Sequence, residues 1–216
     1  MSICYTCHSN CCRKLDFVLT GFDILKISKA LELGPQFFTE IVEIKNKKDL
    51  EKIKLHYAIF NFSDNFNKNP FYFKLKKVSS SLIQDTLKCI FLQEWNITGS
   101  INESGIIGRC GIYSCRPFEC YSFPAKYNEI EKNIIIEDVK AKYYQNKEEA
   151  YKLCSEKFQL TDFQNSSDEL VSNINNENYE KEFFKQIAIK WNNNPGSIET
   201  FFKHLEKFYQ QRIIVK

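Results

Sequence analysis

Four cysteines, Cys4, Cys7, Cys11 and Cys12, fall within the first twelve residues, and Cys89, Cys110, Cys115 and Cys120 form a second group. Thiols at this density leave a chain three uses for them: disulfide staples, a metal centre, or thiol chemistry. The total of nine is odd, which sits badly with a complete disulfide framework. The first residues are polar and lack the apolar stretch of a secretory signal, and no segment reaches the roughly 18 apolar residues of a membrane span. These features predict a soluble cytoplasmic protein with no membrane partner. Disulfides are rare in that compartment, so a metal site or a redox device is the expected use of the thiols. A disulfide-stapled or thiol-redox protein is the competing reading, in which reductant rather than chelator would unfold the chain.

Thiolate is the natural soft ligand for zinc and for iron-sulfur clusters, and a C-x2-C pair such as Cys4 and Cys7 lets two sulfurs reach one metal from a tight turn. Side chains on neighbouring residues usually diverge. Cys11 and Cys12 are therefore expected to serve different metals, or different atoms of one polynuclear cluster. Cys4, Cys7, Cys11, Cys12, Cys89, Cys110 and Cys120 together exceed the four ligands of a mononuclear site. The surplus suggests a polynuclear centre, of which a [4Fe-4S] cluster is one form, or two neighbouring sites.

The rest of the chain frames this cluster. A net charge of +3, from thirty basic and twenty-seven acidic side chains, gives no field that would attract nucleic acid. With 43% hydrophobic residues the 216-residue chain can bury a core. Its abundant Phe and Tyr read as core material rather than stacking platforms. Thr20 and Asp23 form a capping-box pattern ahead of an apolar periodicity at Ile24, Leu25, Ile27, Ala30 and Leu31, and Gly34-Pro35 ends that helix. Pro35 is expected to open a second short helix through Phe37, Phe38 and Ile41. Residues 46–54 read as a solvated helix face or loop. Strands are expected from His56 to Phe62, from Phe71 to Lys77, from Cys89 to Gln93 and around Cys110 to Tyr113, with a polar loop from Glu94 to Gly108. The pattern G-x-x-G at Gly105 and Gly108 lacks the strand and helix a phosphate loop needs.

Beyond Pro124 the pattern turns helical: Ala150, Leu153, Cys154 and Phe158 share one face, as do Phe183, Phe184, Ile187, Ala188 and Trp191, and then Ile198, Phe201, Phe202, Leu205 and Phe208. Ser197 is placed to cap the last helix, and the last two segments are expected to pair antiparallel. The fold class expected is α+β, a small cysteine-rich metal-centred domain over 1–124 with a helical carboxy-terminal extension over 125–216 packed on it.

The segments CYTCHSNCC, LTGFDILKISKALELGPQFF, CIFLQ and CGIYSCRPFECYSFP, in that order, resemble the YkgJ-type cysteine-cluster family, described as zinc- or iron-chelating. The resemblance spans about residues 4–124. The family's first element is usually C-x2-C-x2-C-C and its last reads C-x-I-Y-x-x-R-P-x-x-C-R-x-F-P; Cys110, Ile112, Tyr113, Arg116, Pro117, Cys120, Phe123 and Pro124 match the latter. Three positions depart. An extra residue separates Cys7 from Cys11, Tyr121 stands where the family has arginine, and Cys115 stands where it usually has no cysteine.

The resemblance implies an iron-sulfur or zinc site, with a protein substrate or partner. A more distant similarity to flagellin lysine N-methylases implies the alternative of an iron-sulfur-dependent protein-modifying enzyme using S-adenosylmethionine, although no glycine motif for that cofactor is visible. Arg116 is expected to offset thiolate charge, Tyr113 to donate a hydrogen bond near the site or pack in the core, and His8 to be a spare nitrogen ligand. Asp23 reads as a helix cap, and His56 and His204 as packed or exposed.

Overall fold

The computed structural model describes residues 9, 11–64, 69–96, 106–128, 131, 133–136 and 167–214. In chain order the elements are α1 (Cys11–Lys14), α2 (Gly21–Leu31), β1 (Thr39–Glu43), α3 (Lys47–His56), β2 (Phe71–Leu75), β3 (Lys77–Ser79), β4 (Leu87–Cys89), β5 (Leu92–Asn96), β6 (Ile106–Cys110), α4 (Phe118–Ser122), β7 (Ala125–Asn128), β8 (Asn133–Ile136), α5 (Ser167–Asn192) and α6 (Ile198–Ile214). Among the described residues the strands form four separate antiparallel pairs: β1 with β2, β3 with β4, β5 with β6, and β7 with β8. The mixture of helices with short antiparallel pairs is an α+β chain. Two compact units divide it, one comprising residues 1–16 and 77–176, the other residues 17–76 and 177–216.

The second unit is built on aromatic packing. Phe60 lies 5.2 Å from Phe73, 4.9 Å from Phe184 and 4.8 Å from Phe201, and Phe73 stacks on Phe201 at 5.0 Å. Offset and edge-to-face contacts of this kind add to the area they bury. Helix α2 begins as its sequence dictates: the Thr20 hydroxyl accepts from the Asp23 backbone N–H while the Asp23 carboxylate accepts from the Thr20 backbone N–H. Asp23 is thus a cap. Helix α3 buries none of its residues, in keeping with its charged sequence.

Helices α5 and α6 run antiparallel, with Trp191 against Phe201, Phe183 against Tyr209, and Glu180 paired to Arg212 at 2.7 Å. The Ser197 hydroxyl accepts from the Thr200 backbone N–H at 3.3 Å and caps α6. His204 packs on Trp191, its Nδ1 3.0 Å from the Thr200 carbonyl.

Several expected elements change: besides those that follow, the strand expected around Cys110 to Tyr113 lies at Ile106–Cys110, with Tyr113 in a 3₁₀ turn, and the loop expected from Glu94 to Gly108 gives its two ends to β5 and β6, which pair with each other. The helix expected after Pro35 is a single 3₁₀ turn, Pro35–Phe37, and Ile41 lies in β1 opposite Phe73. The β-branched residues Thr39, Ile41 and Val42 suit an extended pair better than a helix. Between His56 and Phe62 the chain makes one bridge, Phe60 to Phe71, and no strand. Its polar groups are satisfied by side chains of α5 instead: Trp191 Nε1 donates to the Asn61 carbonyl, and Asn192 bonds both the Ile59 carbonyl and the Asn61 amide.

The strand expected at Cys89–Gln93 is divided, so that β4 ends at Cys89 and β5 begins at Leu92. The region after Pro124, expected to be helical, first forms the β7–β8 hairpin, whose second strand carries Ile134, Ile135 and Ile136. The helical face expected around Ala150 to Phe158, with Cys154, lies outside the described residues. No helix among the described residues is long and apolar enough to cross a membrane.

Gly21, the first residue of α2, sits where a Cβ would stand 2.8 Å from Leu205 Cδ1 and 2.9 Å from the Phe184 ring. Gly21→Ala is therefore expected to destabilise the protein by about 1–3 kcal/mol through overpacking. The change reads as a lower urea midpoint with an unchanged slope. An unaltered midpoint would show that α2 yields without cost.

Candidate functional site

The first unit gathers its cysteines from four places in the chain. Cys11 and Cys12 occupy α1, Cys89 ends β4, Cys110 ends β6, and Cys120 lies in α4. Local structure explains how the middle two meet. Antiparallel register pairs Leu92 with Cys110, and the Gly111 amide donates to the Phe91 carbonyl at 2.8 Å. The turn after Cys89 therefore lies against the turn after Cys110. In both turns the sulfur accepts a hydrogen bond from the backbone amide two residues on: Phe91 N–H to Cys89 and Ile112 N–H to Cys110. Such bonds favour the thiolate and orient its lone pairs. A Cβ on Gly111 would come within 3.1 Å of the Phe91 carbonyl oxygen, so the close approach of the two turns suits glycine there.

The thiols sense one another. Cys12 is hydrogen-bonded to Cys11, with the sulfurs 4.0 Å apart, and this contact, burial, and the charges of Cys11, Cys120 and Cys89 push its pKa well above the usual 9.0. Burial pushes Cys89 up to about 11, against the Phe91 amide, with Cys110 and Cys11 adding to the rise and Lys77 opposing it. Burial also raises Cys120 well above 9.0, helped by Cys89, Glu119, Cys11 and Cys110. Cys110 is raised by burial, while the Ile112 amide and the Arg116 charge pull the other way and Cys115 and Cys11 add to the rise. At neutral pH Cys12, Cys89, Cys110 and Cys120 are thus held as thiols rather than thiolates. All six described cysteines are free.

The residues flanking the sulfurs are cationic and aromatic. The Arg116 guanidinium lies 4.0 Å from the Tyr113 ring centre and 4.5 Å from that of Tyr121, while the Tyr121 hydroxyl donates to Glu169 at 3.0 Å. Tyr121, at the position where arginine was anticipated, thus backs the arginine that is present. Tyr113 is 43% exposed, which removes the core-packing reading for it. Cys115 is buried at the end of the Tyr113–Cys115 turn and within electrostatic reach of Cys110. Gly108, one of the two glycines of the G-x-x-G pattern, lies within β6 opposite Glu94. Cys4, Cys7 and His8 lie outside the described residues. Among the described residues no group of three or more His, Cys, Asp and Glu side chains stands ready to hold a metal ion.

Sequence reading missed what holds this arrangement together. The Glu94 side chain, 1% exposed, accepts from Arg13 at 2.6 Å, from Lys88 at 2.9 Å and from the Ser80 hydroxyl at 2.9 Å. Arg13 is itself buried, and it follows Cys12 directly in α1. One carboxylate therefore ties the helix bearing Cys11 and Cys12 to the strand ending in Cys89 and to the hairpin ending in Cys110. Ser9, in the left-handed region at φ 55°, adds a second tie, its hydroxyl donating to the Gly108 carbonyl at 2.6 Å. A Cβ on Gly108 would stand 3.0 Å from Ser9 Oγ and Leu92 Cδ1, so this approach also needs glycine. The signal for Glu94 was present: with period two it shares a face with Leu92, a buried residue, and a carboxylate in phase with a core position implies partners.

Comparison of the chain with protein-family models, curated proteins and solved structures finds no match.

Burial opposes ionisation of Glu94, but the hydrogen bonds from Lys88, Arg13 and Ser80 and the Arg13 charge outweigh it and hold the carboxyl below its ordinary 4.5. A folded pKa below the unfolded one contributes stability that is present above the unfolded value and lost as pH falls through the folded one. Unfolding free energy is therefore expected to fall with acidification below about 4.5, and Glu94→Gln should flatten that part of the profile. At pH 7 the same variant, which leaves Arg13 and Lys88 uncompensated, should lose about 3–5 kcal/mol. Urea titrations across pH check both, and a slope unchanged in the variant would assign it to other carboxylates.

Proposed function

We propose that the protein binds metal, as zinc or an iron-sulfur centre, through Cys4, Cys7, Cys11, Cys12, Cys89, Cys110 and Cys120. The observation that carries this reading is that five of them, Cys11, Cys12, Cys89, Cys110 and Cys120, lie in one unit, with the Cys11 and Cys12 sulfurs 4.0 Å apart and Cys12, Cys89, Cys110 and Cys120 each within electrostatic reach of Cys11. Buried thiols with raised pKa values are poor nucleophiles, which weakens a thiol-redox role. A metal ion reverses the balance, because a coordinating thiol is deprotonated and the ion's charge replaces the protons.

The donor chemistry suits such a group, although the described sulfurs alone do not stand at ligand spacing around one ion. It is all sulfur, it is backed by amide donors at Cys89 and Cys110, and the charges of Lys77 and Arg116 favour thiolates at Cys89 and Cys110 respectively. Zinc there would close irregular backbone into a fixed shape; an iron-sulfur centre would add a redox couple. Arg116, held between two tyrosine rings, sets part of the local potential without needing to touch the ion.

Metal analysis with an absorption spectrum on anaerobically purified protein tests the reading. Iron with acid-labile sulfide would favour the cluster, and would justify calorimetry with S-adenosylmethionine, whose saturable binding the methyl-transfer alternative requires. Zinc alone would favour a structural centre and a protein partner. Cys89→Ser and Cys120→Ser should each lower metal content and stability, and full metal content in both would remove them from the ligand set.

A further inference from the structure

Helix α3 carries charge in a pattern that works against its own stability. Lys47 and Lys48 occupy its first turn, where the positive end of the helix dipole disfavours cations. Lys48 and Lys52 stand four residues apart, which sets two like charges on one face. The acidic residues do not offset them: Asp49 is engaged with the capping Asn46 and Glu51 with Lys54. Lys47, Lys48 and Lys52, with Lys45 just ahead of the helix, are exposed and enter no ion pair among the described residues.

Apolar groups accompany these lysines. Leu55 continues the Lys48–Lys52 stripe three residues on and is 67% exposed, more than any other large hydrophobic side chain among the described residues. Lys185 Nζ of α5 donates to the Leu55 carbonyl at 3.0 Å, and one turn further along α5 Ile189 is 57% exposed. Leu50 and Ile53, both half-buried, lie on the other side of α3, so the lysine stripe faces outward. Unpaired lysines call for carboxylates. Leu55 and Ile189, on two helices with Lys185 between them, call for apolar side chains spaced along a chain. A bilayer would take a helix with an unbroken apolar face, whereas this stripe holds one leucine among lysines. Single-stranded nucleic acid would call for aromatic or arginine platforms, which Lys48, Lys52 and Leu55 do not supply.

We propose that the outward face of α3, with the turn of α5 around Ile189, is a docking surface for an acidic protein segment bearing apolar side chains. The carboxylates of that segment pair with Lys48 and Lys52, and its apolar groups cover Leu55 and Ile189. The surface lies wholly within the second unit, so it stands whether or not the first unit holds metal.

Fluorescence anisotropy of a labelled peptide of repeating Glu-Glu-Leu units, titrated with the full-length protein, is the test. Binding should saturate and should weaken as salt rises from about 0.05 M to about 0.3 M. The double variant Lys48→Glu, Lys52→Glu should weaken it about tenfold or more, and Leu55→Ser about fivefold. Lys207→Glu, an exposed charge reversal on α6, should leave it unchanged. The urea midpoint of the double variant should hold or rise, because an acidic group suits the first turn of a helix. A lower midpoint would show that the lysines serve the helix and would overturn the proposal. Equal affinity for a peptide with Gln in place of Glu, or with Ala in place of Leu, overturns it too, as does wild-type affinity in the double variant. Binding to phosphatidylserine-containing vesicles or to single-stranded DNA but not to the peptide would assign the face to another class of partner and overturn it, and so would binding to none of the three.

Discussion

The cysteine arrangement depends on one buried carboxylate. Glu94 is 1% exposed and is matched by Arg13, Lys88 and Ser80, which come from α1, β4 and the chain just after β3. An ionised group in that position is costly unless it is paired and hydrogen-bonded, so each partner is constrained as strongly as the carboxylate. Arg13 cannot leave without abandoning a buried charge, and Cys11 and Cys12 cannot move far without Arg13. Lys88 in the same way fixes the residue before Cys89. The strands that carry these groups are three to five residues long, too short to set side-chain positions by ladder hydrogen bonds alone.

The two units are stabilised by different physics. In the second, Phe38, Phe60, Phe73 and Phe201 are fully buried and the rings of Phe60, Phe73 and Phe201 touch one another, which is the ordinary hydrophobic solution. In the first, no aromatic ring among the described residues is buried; Leu15, Leu92, Ile106 and Ile112 share the interior with the thiols of Cys89 and Cys115 and with the Glu94 ion pairs. Polar networks give specific geometry but little net stability, because desolvation takes back most of the Coulombic gain.

Legibility in the sequence followed the range of the interactions. Helix α2 with its Thr20–Asp23 cap, and the α5–α6 pair with its Ser197 cap, were readable because periodicity and capping act over a few residues. The 3₁₀ turn at Pro35, the extended segment 57–62 and the break between Cys89 and Leu92 were not, because partners distant in sequence decide them. Trp191 and Asn192 claim the polar groups of Ile59 and Asn61, and Gly111 closes the turn at Phe91. The interleaving of segments into two units has the same origin, since no local pattern states that residues 1–16 belong with residues beyond 76. Among the site residues the cysteines announced themselves by type and spacing. Arg13, Lys88 and Ser9 did not, being surface residues by composition and buried or pinned only by tertiary pairing.

That difference bears on how the cysteines should be weighed. Spacing alone suggests a surplus of ligands and hence a polynuclear centre, because it counts thiols without regard to which can meet. The fold adds selection. Backbone amides at Phe91 and Ile112 aim the sulfurs of Cys89 and Cys110, the Ser9 and Arg13 anchors bring Cys11 and Cys12 to 4.0 Å, and the Arg116 charge acts on Cys110. Thiols with distinct supports are not interchangeable ligands, whatever their number. The pair in α1 is held by an ion pair and a backbone contact, whereas the sulfurs in the turns at Cys89 and Cys110 are tuned by amide hydrogen bonds and nearby cations.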